Sequence, residues 1–168
     1  MVANVIVTVE RRLDHPRDAV FRAWTDPATL ARWRGSPGWH VEAESCTGDP
    51  RLGGHHTHVK VRDDDPTVRV TTTGVYTEFF DPDVFVSAEK ITGDEGIDPN
   101  AVLELRVELT RYGREGRGTL VRIIQGPYEP DVADWHGEGW RRELGRLAAL
   151  LDGPSGPGVH TGPTEVTR

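Results

Sequence analysis

The chain has 168 residues, 36% of them hydrophobic, and a formal charge of −7 at pH 7, which suits one domain plus a tail. The acidic balance argues against nucleic acid or an anionic membrane surface as partner, because both need a surplus of Lys and Arg at the contact. No apolar run approaches the roughly 20 residues that cross a bilayer, no basic-then-apolar leader opens the chain, and the single cysteine, Cys46, excludes an internal disulfide and a cysteine-built zinc site.

The first segment, Ile6 to Arg12, alternates and is β-branched, so it predicts a strand. Asp14-His15-Pro16 ends it and opens a short helix. Asp14 or His15 caps that helix, and Pro16 takes its first position, where a missing N–H is harmless. Val20, Phe21 and Trp24 form its apolar stripe. Thr25-Asp26-Pro27 repeats the start signal for a second short helix with Leu30 and Trp33, and Ser36-Pro37-Gly38 is a turn. From Trp39 the chain reads as β. The expected strands are 39–45, 55–61, 68–80, 83–92, 101–112 and 118–125, separated by short Gly-, Asp- and Pro-rich connections that favour antiparallel hairpins. Leu103, Leu105, Val107 and Leu109 alternate with Glu104, Arg106 and Glu108, so one face of that strand is buried and the other wet. Pro130 to Leu151 is the longest helical signal. Trp140, Leu144, Leu147 and Leu151 make one stripe, and Arg141, Arg142, Glu143 and Arg146 fall on the other side. After Asp152 the chain turns Gly- and Pro-rich and polar, too poor in apolar surface to offset its ordering entropy.

The expected fold is therefore α+β: a curved antiparallel sheet of about six to seven strands wrapped on a long C-terminal helix, with two short helices after strand 1. The domain is expected over residues 1–152 and a disordered tail over 153–168. A sheet curled around a helix leaves a cavity beneath it, and such cavities commonly hold ligands.

Four patches carry a resemblance: Val20-Phe21-Arg22-Ala23-Trp24-Thr25-Asp26-Pro27 with Leu30 and Trp33; Asp49-Pro50-Arg51-Leu52-Gly53-Gly54; Gly74-Val75-Tyr76-Thr77-Glu78; and Gly118-Thr119 through Gln125 with Gly139-Trp140 and Leu144 to Leu151. In this order they resemble the helix-grip superfamily of START lipid-transfer domains, polyketide cyclases and the birch-pollen allergen. The branch they look most like is named after the activator of the ninety-kilodalton heat-shock protein's ATPase. The resemblance is specific for fold and weak for activity. Two departures stand out. Arg34 follows Trp33 where the family usually has a second tryptophan. His55, His56, Thr57 and His58 follow the Gly-Gly pair where large apolar residues are usual, which predicts a more polar cavity floor. A narrower likeness covers Gly93-Asp94-Glu95-Gly96-Ile97-Asp98-Pro99-Asn100, which looks like the loop of the self-sacrifice proteins that protect enediyne-producing actinomycetes. The resemblance implies hydrogen abstraction from a backbone glycine, followed by chain cleavage, and makes Gly93 and Gly96 the candidates.

The candidate ligand-binding residues are Trp33, Trp39, His56, His58, Tyr76, Glu78, Leu105, Val107, Gln125, Trp140 and Leu144. His58, Glu78 and Gln125 are also the candidates for acid–base chemistry. His56 and His58 share a strand face and could hold one ion with His55 or Glu78 as third ligand, but no metal-site spacing appears, and neither metal nor cofactor is expected. Which face of the histidine strand points inward is open. Val59 and Val61 place the odd positions inside, whereas the family pattern places the even ones there. Trp33 and Trp39 flank the turn after the second helix, at the expected cavity mouth, and would stack on a flat ligand. Trp135 either gates the entrance or lies exposed.

The leading expectation is a cytoplasmic, non-enzymatic protein, monomeric or weakly dimeric, that binds a small hydrophobic or aromatic secondary metabolite of polyketide type. In its sharpest form it gives self-sacrifice resistance to an enediyne antibiotic. The alternatives are a polyketide cyclase, aromatase or hydrolase, and a co-chaperone-like interaction module.

Overall fold

The computed structural model describes residues 4–153; the expected tail, apart from Gly153, lies outside the described residues. Strand β1 (Val5–Leu13) leads into helices α1 (Arg17–Thr25) and α2 (Pro27–Trp33). Pro16 is the N-cap of α1, one residue outside the position expected, and no side chain caps it. Asp26 caps α2 by accepting the Thr29 N–H at 3.1 Å, with Pro27 in the first turn.

The expected strand over 39–45 is cut short: β2 (Trp39–Val41) gives way to a single 3₁₀ turn at Ala43–Ser45, and the two-residue β3 (Thr47–Gly48) follows beyond it. The Ser45 hydroxyl explains the break: it donates to the Glu42 carbonyl at 2.6 Å and accepts the Val59 N–H at 2.9 Å, replacing a ladder bond by a side-chain bond. Then follow β4 (His55–Arg62), β5 (Arg69–Phe80), β6 (Val84–Thr92), β7 (Leu103–Tyr112), β8 (Gly118–Tyr128) and α3 (Pro130–Asp152). All pairings are antiparallel in the order β1-β8-β7-β6-β5-β4-β2, with β3 on β4. This curled sheet with one long and two short helices is the helix-grip fold expected from the sequence.

Two features of register position the site. His56, His58 and Lys60 pair with Gly74, Thr72 and Val70 of β5. Directly opposed residues share a face, and those β5 residues are buried, so the even positions of β4 face inward. Gly74 makes this possible, since a Cβ there would lie 2.3 Å from His56 Nε2. The second feature is a bulge in β5 between Tyr76, opposite Ser87, and Glu78, opposite Val86. The inward phase jumps from Tyr76 to Phe79.

The core is aromatic around α1. Phe21 meets Phe79 and Phe85 edge-on at 5.3 and 5.9 Å, and Trp24 meets Trp33 at 4.8 Å. Val107 and Leu109 of β7, Val121 and Ile123 of β8, and Leu144 and Leu147 of α3 complete it. The apolar stripe of α3 is as expected, but its other side is not all wet. Glu143 is buried, and Arg146 donates to the carbonyls of Gly35 and Trp39 at 2.6 and 3.1 Å.

Candidate ligand-binding cavity

Between the sheet and α3 lies an open cavity of about 350 Å³, within the range of small-molecule sites. Its walls come from the turn after α2, the inward faces of β4, β5 and β6, the segment 93–95, the end of β8, and α3. A second chamber of about 20 Å³ lies beside it, at α1 and α2, enough for one water. Arg34 and Glu89 line both and form the partition.

The structure separates the residues proposed from sequence. Trp39, Gln125 and Trp140 line the larger cavity, and Gly93 sits at its rim. His56, His58, Tyr76 and Leu105 line the smaller chamber. Val107 and Leu144 are fully buried core residues. Trp33 is 0% exposed; its Nε1 donates to the Ala23 carbonyl at 2.9 Å, and its place is in the core and not at the mouth. Glu78, moved by the bulge, leaves the site altogether. It lies outside with 46% of its side chain exposed, paired with Arg106 at 3.2 Å. Gly96 packs against Val132, whose methyl groups would lie under 3 Å from an added Cβ. Trp135 lines the entrance and is 61% exposed. Among the described residues no three His, Cys, Asp or Glu side chains converge as a metal site, and Glu78 could not join the histidines.

At the partition sits a buried polar network. The Gln125 carbonyl oxygen accepts from the Tyr128 hydroxyl at 2.5 Å and from Trp140 Nε1 at 2.7 Å. Its amide is thereby turned toward Glu89, to which Nε2 donates at 3.3 Å. Burial raises the Glu89 carboxyl to about 7, against the pull of Arg34, Gln125 and Lys60. His56 Nε2 lies 2.5 Å from Ser87 Oγ and 3.9 Å from Glu89 Oε2; burial, helped by Arg34 and His55, lowers it to about 4, so it is neutral at pH 7. His58 is 3% exposed and neither ring nitrogen has a hydrogen-bond partner. Burial, then Arg34, Lys60 and His56, hold it well below 6.5.

On the α3 side, Arg34 pairs with Glu143 and lies over the Trp140 ring, 4.2 Å from its centroid. Glu143 also accepts the Gly35 N–H at 2.7 Å and lies 3.4 Å from Lys60 Nζ. Burial pushes Glu143 up, but Arg34, Lys60 and Gly35 outweigh it and the carboxyl stays ionised. At the mouth His136 stacks on Tyr128 at 4.6 Å, with Nε2 3.4 Å from Asp94 Oδ2 but outside hydrogen-bond geometry.

Sequence reasoning did not single out Glu89, Lys60, Tyr128, His136 or Glu143 as site residues. A signal existed for Glu89, which is in phase with Phe85, Ser87 and Ile91 on one face of β6. For Glu143 only the odd Arg34 hinted at a buried partner.

A curled antiparallel sheet closed by one long helix over a partly polar chamber defines a helix-grip domain of ligand-enclosing architecture. Residues 14–152 match the family described as Activator of Hsp90 ATPase homolog 1-like protein, and the chain belongs to that family. Curated proteins provide no match. Among solved structures, protein CV1439 from Chromobacterium violaceum is similar with TM-score 0.75 at 21% identity, over 88% of this chain and 96% of that one. The AHSA1 protein from Silicibacter pomeroyi has TM-score 0.73 at 23% identity, over 88% and 98%. CalU16 from Micromonospora echinospora has TM-score 0.59 at 20% identity, over 92% and 87%. At these identities the likeness shows the fold. No helix among the described residues is long and apolar enough to cross a membrane.

Proposed function

We propose that this chain captures a small hydrophobic or aromatic molecule in the larger cavity. The supporting observation is the pairing of indole walls, Trp39 and Trp140, with a buried polar floor at Gln125 and Glu89. Such a site favours a flat guest that carries a hydroxyl or carbonyl group, because the floor offers hydrogen bonds that an alkane would leave unmade. Titration with emodin, a hydroxylated anthraquinone, tests this. Saturable quenching of tryptophan fluorescence is expected, and Trp39→Ala weakens it by about 3- to 10-fold, as the loss of one aromatic contact implies. Quenching that is linear in emodin and identical in the variant would refute the reading.

The narrower function, self-sacrifice resistance to an enediyne antibiotic, is supported by the place of Gly93. Its backbone borders the same cavity, and glycine has no side chain to shield the Cα–H. Of the two candidate glycines Gly93 is preferred, because it lines the cavity, whereas Gly96 packs against Val132 outside that lining. Incubation with a thiol-activated enediyne is expected to yield two fragments whose masses locate the cut at Gly93. An intact chain beside cleaved DNA rules this out.

A further inference from the structure

The partition between the chambers carries a carboxyl group, Glu89, that among the described residues forms no ion pair with Lys or Arg, although Arg34 and Lys60 lie near enough to pull on it. Glu143, equally buried, is neutralised by Arg34 and held by the Gly35 N–H. Glu89 receives only the Gln125 amide at 3.3 Å, and its second oxygen is 3.9 Å from a neutral His56. Tyr128 and Trp140 saturate the Gln125 oxygen, which leaves that amide no other orientation. Glu89 lines the cavity open to a guest. A carboxylate stripped of water and weakly paired is a stronger base than one in solution.

We propose that Glu89 is a general base that removes a carbon-bound proton from a flat carbonyl or heteroaromatic guest, which makes the chain a proton-transfer enzyme and not only a receptor. This rests on the guest-binding cavity argued above. The Glu89 carboxylate takes the proton from carbon. In a carbonyl guest the C–H electron pair moves onto the neighbouring carbonyl as an enolate and protonated Glu89 returns the proton to oxygen or to another carbon; in a heteroaromatic with a ring N–O bond the pair forms the nitrile as that bond breaks, the oxygen leaves as phenolate, and Glu89 gives its proton to water. Nothing is oxidised or reduced, and no co-reactant is consumed. Lys60, on the same cavity wall and 3.4 Å from Glu143, is the cation that would swing toward an enolate.

Protonation fits the task. Glu89 stands at about 7, so both of its forms are populated at neutral pH. The groups around it are Arg34 at the end of α2, His56, His58 and Lys60 on β4, Tyr76 on β5, Tyr128 on β8, and Glu143 on α3, with Asp94 and His136 lining the same cavity. His56 and His58 are lowered and the two tyrosines raised, chiefly by burial, and Glu143 is lowered.

The probe is 5-nitrobenzisoxazole, a flat heteroaromatic whose C–H proton is taken by a base as the N–O bond breaks, releasing a coloured cyanonitrophenolate. Binding is read separately by tryptophan quenching. The expected result is saturable turnover that rises with pH through a midpoint near 7. Glu89→Gln is expected to lower kcat/KM by about 100-fold through kcat while saturable quenching is still seen and the chain still folds, and Glu89→Asp to retain turnover at a smaller rate. Turnover that survives Glu89→Gln, a wild-type profile without that midpoint, or binding with no turnover beyond that of acetate overturns the proposal and leaves the cavity reading standing. Absence of quenching by the probe overturns both.

Discussion

The Arg34 guanidinium carbon lies 4.2 Å from the centroid of the Trp140 ring while the same group pairs with Glu143, three residues further along the same helix. One side chain from the end of α2 is thus held by α3 through a face and a charge. Both partners of the ion pair are buried, so removing one leaves the other uncompensated. Glu143→Ala is expected to cost about 3–5 kcal/mol in urea unfolding. The double change Arg34→Met with Glu143→Leu is expected to cost less than either single change. A double variant as unstable as the sum of the singles would show that the pair is not coupled.

Trp33 and Trp39 flank one turn yet do different things. Trp33 is sealed among Trp24 and α1 with its N–H satisfied, so Trp33→Ala is expected to lower stability by about 3–5 kcal/mol. Trp39→Ala is expected to lower guest affinity with a smaller loss of stability. Thermal melts and emodin titration on the same two proteins separate these roles, and equal effects on affinity would contradict the assignment.

His58 is an imidazole with two buried, unpartnered nitrogens. Its folded pKa is depressed, so its neutral form stabilises the fold above the ordinary value of 6.5, and that stability is lost as pH falls. His58→Leu removes the unpaired atoms and the titration. Melting temperatures at pH 8 and pH 5 should show the variant at least as stable as wild type at the higher value, and ahead by about 1 kcal/mol or more at the lower one. A variant that loses more ground at pH 5 than at pH 8 would contradict this.

Glu89 has the opposite sign. Its folded pKa is raised from 4.5 to about 7, so its contribution is fully present below 4.5 and is lost as pH rises through 7. The shift corresponds to about 3 kcal/mol. In Glu89→Gln that loss should vanish, and the variant should gain on wild type between pH 5 and pH 8 in denaturant titrations. A constant gap between the two curves would show that Glu89 titrates as an ordinary carboxyl.

Gly93 has φ +88°, and an added Cβ would lie 2.1 Å from the Arg69 carbonyl oxygen. Gly93→Ala is expected to cost about 1–3 kcal/mol, because neither the backbone conformation nor the space suits a side chain. A melting curve that matches wild type would contradict this. Cleavage mapping is therefore better done on the unaltered chain, where a lost fragment cannot be confused with a loosened loop.

The fold was legible because its signals are local and repeated. The alternation of Leu103, Leu105, Val107 and Leu109 marks the buried face of β7, and the stripe of Trp140, Leu144 and Leu147 marks the buried face of α3. The site was legible only in part. Gln125, Trp39 and Trp140 line the cavity, whereas Trp33 has the same residue type as two of them in the same neighbourhood and turns the other way. A tryptophan's wall is set by tertiary packing, which spacing along the chain does not encode. The direction of β4 was undecidable from its own residues, because valines occupy one face and histidines the other; the pairing of His56 with Gly74 resolves it. Glu143 was assigned to water by helical phase alone, since its reason for burial, Arg34, is over a hundred residues away in sequence.

The bulge in β5 also bears on tolerance to length changes. Thr77 is the residue without an opposite number on β6, so the strand holds one unit of slack. Losing Thr77 would straighten β5 and still leave Phe79 against Phe21 and Glu78 outdoors, whereas gaining a residue beside it would invert every side chain beyond. Comparing the melting curves of a Thr77 deletion and a one-alanine insertion would reveal that asymmetry; equal damage from the two would mean that the slack is illusory.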